Sequence, residues 1–157
     1  MFAAAIRPAR PIRVAVADDC ILIRHALAEI LGAADEVELV AVCADADELR
    51  AAVAAHAPDV VITDIRMPPT MTDDGIRVAD ELRRTRPEIG VIVLSAYCEP
   101  WYAVALLRHG SDRRAYLLKG RLASVPQLLA TITAVASGGS LVDAELTRVL
   151  GLGDQVT

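Results

Sequence analysis

Asp59-Val60-Val61-Ile62-Thr63-Asp64 decides how this chain folds. Residues 59–63 read as a strand. The run is too short for a helix and apolar on both sides, the pattern of a strand covered on both faces of a parallel sheet. It delivers Asp64 at its end. Ile12-Arg13-Val14-Ala15-Val16-Ala17 is a second such strand and delivers Asp18 and Asp19. Gly90-Val-Ile-Val-Leu94 runs into Ser95, and Ala115-Tyr-Leu-Leu118 runs into Lys119. If these strands are parallel neighbours, their terminal side chains converge at the C-terminal edge of one sheet, where open α/β sheets place their ligands. Clustered carboxylates repel each other and call for a cation, and a hard ion such as Mg²⁺ suits oxygen ligands. A hydroxyl and an ammonium beside them suit phosphate oxygens. The constellation reads as a site for a phosphoryl group carried on an aspartate.

The intervening segments are helical. Residues 20–32 place Ile23, Leu27, Ile30 and Leu31 on one face, with Gly32 as a candidate cap. Residues 37–43 form a further strand. Helices follow over 46–56, 75–85, about 101–109 and 125–137, punctuated by Pro58, Pro87, Gly110 and Gly138-Gly139. Five strands alternating with five helices specify an α/β sheet with helices on both faces. Residues 1–11 are expected to be a loose N-terminal extension and 12–138 one domain. Residues 139–157 are expected to be a linker or tail with room for one short helix over 143–150.

Composition narrows the function classes. The 157 residues fit one domain, and 54% apolar content argues against disorder except at the ends. A net charge of −5 disfavours a nucleic-acid surface on this chain, which would need a basic face. Cys20, Cys43 and Cys98 are isolated and odd in number, as expected for reduced thiols of a cytosolic protein. No apolar stretch approaches the ~18 residues of a membrane-spanning helix. The start lacks the leading charges and apolar length of a signal peptide. The expected localisation is cytoplasmic, with no membrane partner.

The strand ends carry a family pattern. Val16-Ala17-Asp18-Asp19, Val60-Val61-Ile62-Thr63-Asp64-Ile65-Arg66-Met67-Pro68, Val93-Leu94-Ser95-Ala96 and Ala115-Tyr116-Leu117-Leu118-Lys119 occur in order, each at a strand end. Together they resemble the response-regulator receiver domain of two-component signalling, over about residues 12–138. Tyr116-Leu-Leu-Lys119 and Ser137-Gly-Gly-Ser140-Leu-Val-Asp143 are further similar to NarL/LuxR-type regulators. There a receiver precedes a linker helix and a DNA-binding helix-turn-helix, which this chain stops short of. The resemblance implies a flavodoxin-like (βα)5 fold with a doubly wound, parallel five-stranded sheet. It makes Asp64 the phospho-acceptor, with a sensor histidine kinase as donor. It assigns Mg²⁺ to Asp18, Asp19, Asp64 and the Arg66 backbone carbonyl, and phosphoryl binding and switching to Ser95, Lys119 and Tyr116. The implied role is regulatory rather than enzymatic, with homodimerisation or an attached transcriptional domain as output. DNA would be reached only through that absent domain.

Each residue also has a plainer reading. Asp18 or Asp19 alone would cap the helix that follows. Asp64 would cap a turn, Ser95 would be a turn serine, and Tyr116 a strand tyrosine with a wet hydroxyl. His25, His56 and His109 are expected to be structural, and Trp101 and Tyr102 to line a partner surface or a packed rim. The loop from Met67 to Gly75 is longer than usual for the family, as is Ser111–Ala115 after Gly110. Gly120 follows Lys119 where many receivers have proline. Two other functions compete. A pseudo-receiver would keep the fold as a protein-binding module without phosphorylation. A haloacid-dehalogenase-like phosphohydrolase would need an acid two residues after its nucleophile, where this chain has Arg66.

Overall fold

The computed structural model describes residues 10–96 and 99–142. The elements in chain order are β1 (Ile12–Ala17), α1 (Ile21–Gly32), β2 (Val37–Cys43), α2 (Ala46–His56), β3 (Val60–Asp64) and α3 (Asp74–Thr85). There follow β4 (Gly90–Ser95), α4 (Pro100–Leu107), β5 (Arg114–Leu118), a 3-10 turn (Lys119–Ala123), α5 (Val125–Ala136) and β6 (Ser140–Val142). All strand pairs are parallel, in the order β2-β1-β3-β4-β5-β6. The α/β doubly wound class expected from the sequence is therefore observed.

The sheet has six strands rather than five. Ser140 and Leu141, expected in a linker, extend the edge by pairing with Arg114 and Ala115. Gly138, at φ 102, makes the sharp turn out of α5 that aims the chain along β5. The expected helix over 143–150 lies outside the described residues. At the other end, Arg10 is not loose: its guanidinium donates to both oxygens of Asp59, at 2.9 and 3.0 Å.

The central strands are mainly apolar, and the side chains of β1, β3, β4 and β5 alternate between two cores. Ala15, Ala17, Val61, Val91, Val93 and Tyr116 face α2, α3 and α4. Val14, Val16, Ile62, Ile92, Leu94 and Leu117 face α1 and α5, which contribute Leu27, Leu31, Leu128 and Ile132. Covering both faces is what permits continuous hydrophobic strands. Local signals set the helix ends. Asp45 accepts from the Glu48 amide at 2.7 Å, and Ser124 accepts from the Gln127 amide at the start of α5. Gly32 is the last residue of α1 and not a left-handed cap; Ala33 follows in right-handed geometry.

Because strand order reverses direction of growth between β1 and β3, a crevice opens above their C-terminal ends. That crevice collects the residues described next.

Candidate functional site

Register brings the strand tips together. Ala17 pairs with Thr63, so Asp18 and Asp64 emerge side by side. Ser95 pairs with Leu118, so Ser95 lies beside the residue that precedes Lys119. The adjacency of β1, β3, β4 and β5 that the sequence reading required is met.

Oxygens of Asp18, Asp19 and Asp64 lie within 4.8 Å of one another. Asp18 is 1% exposed and Asp64 9%, while Asp19 faces solvent. One oxygen of each buried carboxylate is held by backbone: Asp18 Oδ1 accepts from the Cys20 amide and Asp64 Oδ1 from the Ile65 amide, both at 2.8 Å. The other oxygens face Lys119, whose Nζ is 2.9 Å from Asp18 Oδ2 and 3.4 Å from Asp64 Oδ2. The lysine thus sits closer to Asp18 than to Asp64.

The electrostatics follow from this crowding. Burial, then the neighbouring Asp18 charge, raises the Asp64 carboxyl to about 6 against the opposing pull of Lys119 and the Ile65 amide. Burial alone would lower the Lys119 ammonium, but its contacts with Asp18 and Asp64 outweigh that and raise it. One ammonium among three acids leaves the cluster with excess negative charge. An all-oxygen donor set of this kind fits a hard divalent cation.

Beside the acids is a hollow of about 160 Å³ lined by Asp64, Arg66, Ser95, Tyr102 and Lys119. Larger grooves of about 400 and 410 Å³ lie along α2 and α3 and along α5, away from this convergence of polar groups. Ser95 is 7% exposed at the end of β4. Tyr116 is fully buried in the core shared with Ala103 and Leu106 of α4, so its ring points inward and its hydroxyl is not in open solvent. Trp101 is 64% exposed. The three histidines are exposed and none lines the hollow.

The long loop after Asp64 is organised rather than slack. Asp74, 2% exposed, accepts from the Thr70 and Thr72 amides and the Thr70 hydroxyl. Gly75 then presses against the end of β3: a Cβ there would lie 1.9 Å from the Asp64 carbonyl oxygen. The Asp74-Gly75 pair is visible in the sequence, but its role in fixing Asp64 is not. The Arg66 side chain is a second group that sequence reasoning missed. It reaches across to Glu99 at 2.6 Å and lies over the Tyr102 ring, 5.8 Å from its centroid. Among the described residues the cis peptide bond is Pro68–Pro69, and Lys119–Gly120 is not cis.

Comparison with known proteins agrees with this architecture. Residues 14–131 match the family described as the response regulator receiver domain. The oxygen regulatory protein NreC of Staphylococcus haemolyticus is 33% identical over 138 residues, which is 88% of this chain and 61% of that protein. NreC of Staphylococcus carnosus is 30% identical with the same coverage. The chain therefore spans about three fifths of the length of these relatives. Among solved structures, the signal receiver domain of the putative response regulator NarL from Mycobacterium tuberculosis is 28% identical. It superposes with a TM-score of 0.67 over 79% of this chain and 98% of that one. The isolated receiver domain of RcsB from Salmonella enterica serovar Typhimurium, solved with the phosphomimetic BeF3−, shares the fold. Its TM-score is 0.74 at 24% identity, over 90% of this chain and 99% of that one.

Proposed function

Because the chain belongs to the response-regulator receiver family, we propose that it is a phosphorylation switch in which Asp64 accepts a phosphoryl group from the phosphohistidine of a sensor kinase. The observation that carries this reading is the Lys119 ammonium held 2.9 and 3.4 Å from two buried carboxylates, beside a hollow lined by Asp64, Ser95 and Lys119. An Asp64 oxygen forms the new P–O bond as the donor P–N bond breaks, and the electron pair returns to the imidazole nitrogen. Asp18, Asp19, Asp64 and the Arg66 carbonyl would hold Mg²⁺, which supplies the charge that lets an anionic nucleophile and an anionic phosphoryl group meet.

The chain's own residues do the rest. The Ile65 amide fixes one Asp64 oxygen and so the direction of the other. Lys119 follows the negative charge from the carboxylates to a phosphoryl oxygen as a compact point charge. Ser95 donates its hydroxyl to another oxygen, drawing the β4–α4 loop toward the hollow. Tyr116 is already inward in this structure, and such a movement would hold it there. The Lys119 and Ser95 contacts to phosphoryl oxygens exist only in the phosphorylated state, so they shift a pre-existing equilibrium. A full reversal needs roughly 5 kcal/mol of differential stabilisation. The output is homodimerisation or release of an attached DNA-binding domain, and the protein acts in the cytoplasm as a regulator rather than an enzyme.

Intact mass after incubation with acetyl phosphate and Mg²⁺ tests the reading. A single Mg²⁺-dependent phosphoryl adduct is expected on the native protein and not on Asp64→Asn. A folded, Mg²⁺-binding protein that takes no phosphoryl group from acetyl phosphate or from its kinase would instead be a pseudo-receiver.

A further inference from the structure

Arg66 stands two residues beyond Asp64, lines the same hollow, and is not used by the mechanism except through its backbone carbonyl. Its guanidinium donates to Glu99 Oε1 at 2.6 Å. Glu99 is only 13% exposed in its side chain, and its second oxygen is buried without a hydrogen-bond partner. Arg66 is therefore the cation that keeps a nearly buried carboxylate paired. Glu99 immediately precedes α4, and its carbonyl accepts from the Tyr102 amide in the first turn. Tyr102 lies under the Arg66 guanidinium and donates its hydroxyl to the Thr72 carbonyl. One strut of side chains thus ties the loop after Asp64 to the start of α4 across the mouth of the hollow.

A phosphoryl group on Asp64 would enter the hollow that Arg66 and Tyr102 line, beside the Tyr102 ring over which this guanidinium lies. Its planar fork suits phosphate oxygens better than a single carboxylate oxygen does. The geometry points to Arg66 as a phosphoryl-binding residue that exchanges Glu99 for the phosphoryl group and thereby releases the first turn of α4. The inference rests on the phosphorylation reading above. It adds a second route from site to surface, separate from Ser95 and Tyr116. Once Arg66 leaves, Glu99 is a carboxylate held out of water without its cation, beside a new dianion that repels it. Both effects push Glu99, and with it Trp101 and Tyr102, outward. Occupancy of Arg66 by one anion excludes the other, which is the differential contact a two-state switch requires.

The chain contains one tryptophan, Trp101, 6.0 Å from the Tyr102 ring in that first turn. Its fluorescence reports the movement while intact mass on the same sample reports phosphoryl uptake from acetyl phosphate and Mg²⁺. The native protein should gain the adduct and change its Trp101 emission. Glu99→Gln should gain the adduct, start with emission displaced toward that of the phosphorylated native protein, and respond about fivefold less. Glu99→Asp should restore the response in part. Arg66→Met should lose the response in molecules that carry the adduct. An adduct with unchanged Trp101 emission in the native protein, or an undiminished response in Glu99→Gln, overturns this inference alone. No adduct on the native protein, from acetyl phosphate or from its kinase, overturns the phosphorylation reading and this inference with it.

Discussion

At the N-terminal edge of the sheet the Arg114 guanidinium is 1% exposed and donates to the backbone carbonyls of Ala79, Ile89 and Arg113. At the C-terminal edge Asp18 and Asp64 are nearly as buried, and the oxygens that backbone amides do not hold face one shared lysine. Both edges take charge out of water. The lower edge surrounds it with fixed carbonyl dipoles that need nothing further. Burial and the nearby Arg83 lower Arg114 to about 10, which still leaves it charged at neutral pH. The upper edge concentrates like charge that remains incompletely compensated. The first arrangement is a fastener, and the second is the one we propose receives a cation and a phosphoryl group. Buried charge alone does not mark a site; buried charge left in excess does.

The contrast can be broken from either edge. The largest effect is expected from Gly75→Ala. Its Cβ would meet backbone at 1.9 Å, so the Asp64 strand end or α3 must move. A loss of about 3 kcal/mol or more is expected in urea unfolding. A loss under half of that would mean the end of β3 is not held by this contact.

Arg114→Ala is expected to cost about 3 kcal/mol through the cavity and the stranded carbonyls. Arg114→Met, which keeps most of the volume, should cost less, and neither should alter phosphoryl uptake in the protein that remains folded. Loss of uptake in a stably folded Arg114→Met would erase the distinction between the edges.

Asp64→Asn should act in the opposite direction. The folded-state carboxyl is raised from 3.8 to about 6, so between those values the folded protein binds more protons than the unfolded chain. Without metal, stability therefore falls as pH rises from about 4 to about 6 and stays lower above that range. Asparagine removes this penalty, giving a gain on the order of 2 kcal/mol at pH 7 and little at pH 4. The same protonation should weaken Mg²⁺ binding to the native protein as pH falls through about 6, readable by calorimetry. A native protein with a flat stability profile over this range would show the acids to be already balanced.

The smallest effect is expected at Gly32, which closes α1 where an added methyl group would meet nothing within 4 Å. Gly32→Ala should stabilise by about 0.5–1 kcal/mol in thermal unfolding and leave uptake unchanged.

The sequence by itself determined most of the elements and singled out the residues that the strand ends bring together. Strand and helix periods are local, so β1, β2 and α2 are legible to the residue, and β3 to β5 and the other helices to within one or two residues. A polar side chain ending an apolar strand is equally local, which is why Asp18, Asp19, Asp64, Ser95 and Lys119 stand out from the chain alone. The family resemblance then orders the strands. What only the tertiary structure decided depends on contacts between distant segments. β6 is three residues long, too short to carry a period, and becomes a strand only because Arg114 and Ala115 offer an open edge. Lys119 lies nearer Asp18, at 2.9 Å, than Asp64, at 3.4 Å, a choice between two carboxylates on adjacent strands that their positions in the chain do not record. The Arg66–Glu99 pair spans 33 positions and depends on where the turn into α4 passes the hollow. Spacing along a chain records which groups leave the sheet on the same side; it does not record which of them end within hydrogen-bonding distance of one another, because rotamers and loop paths are settled by packing.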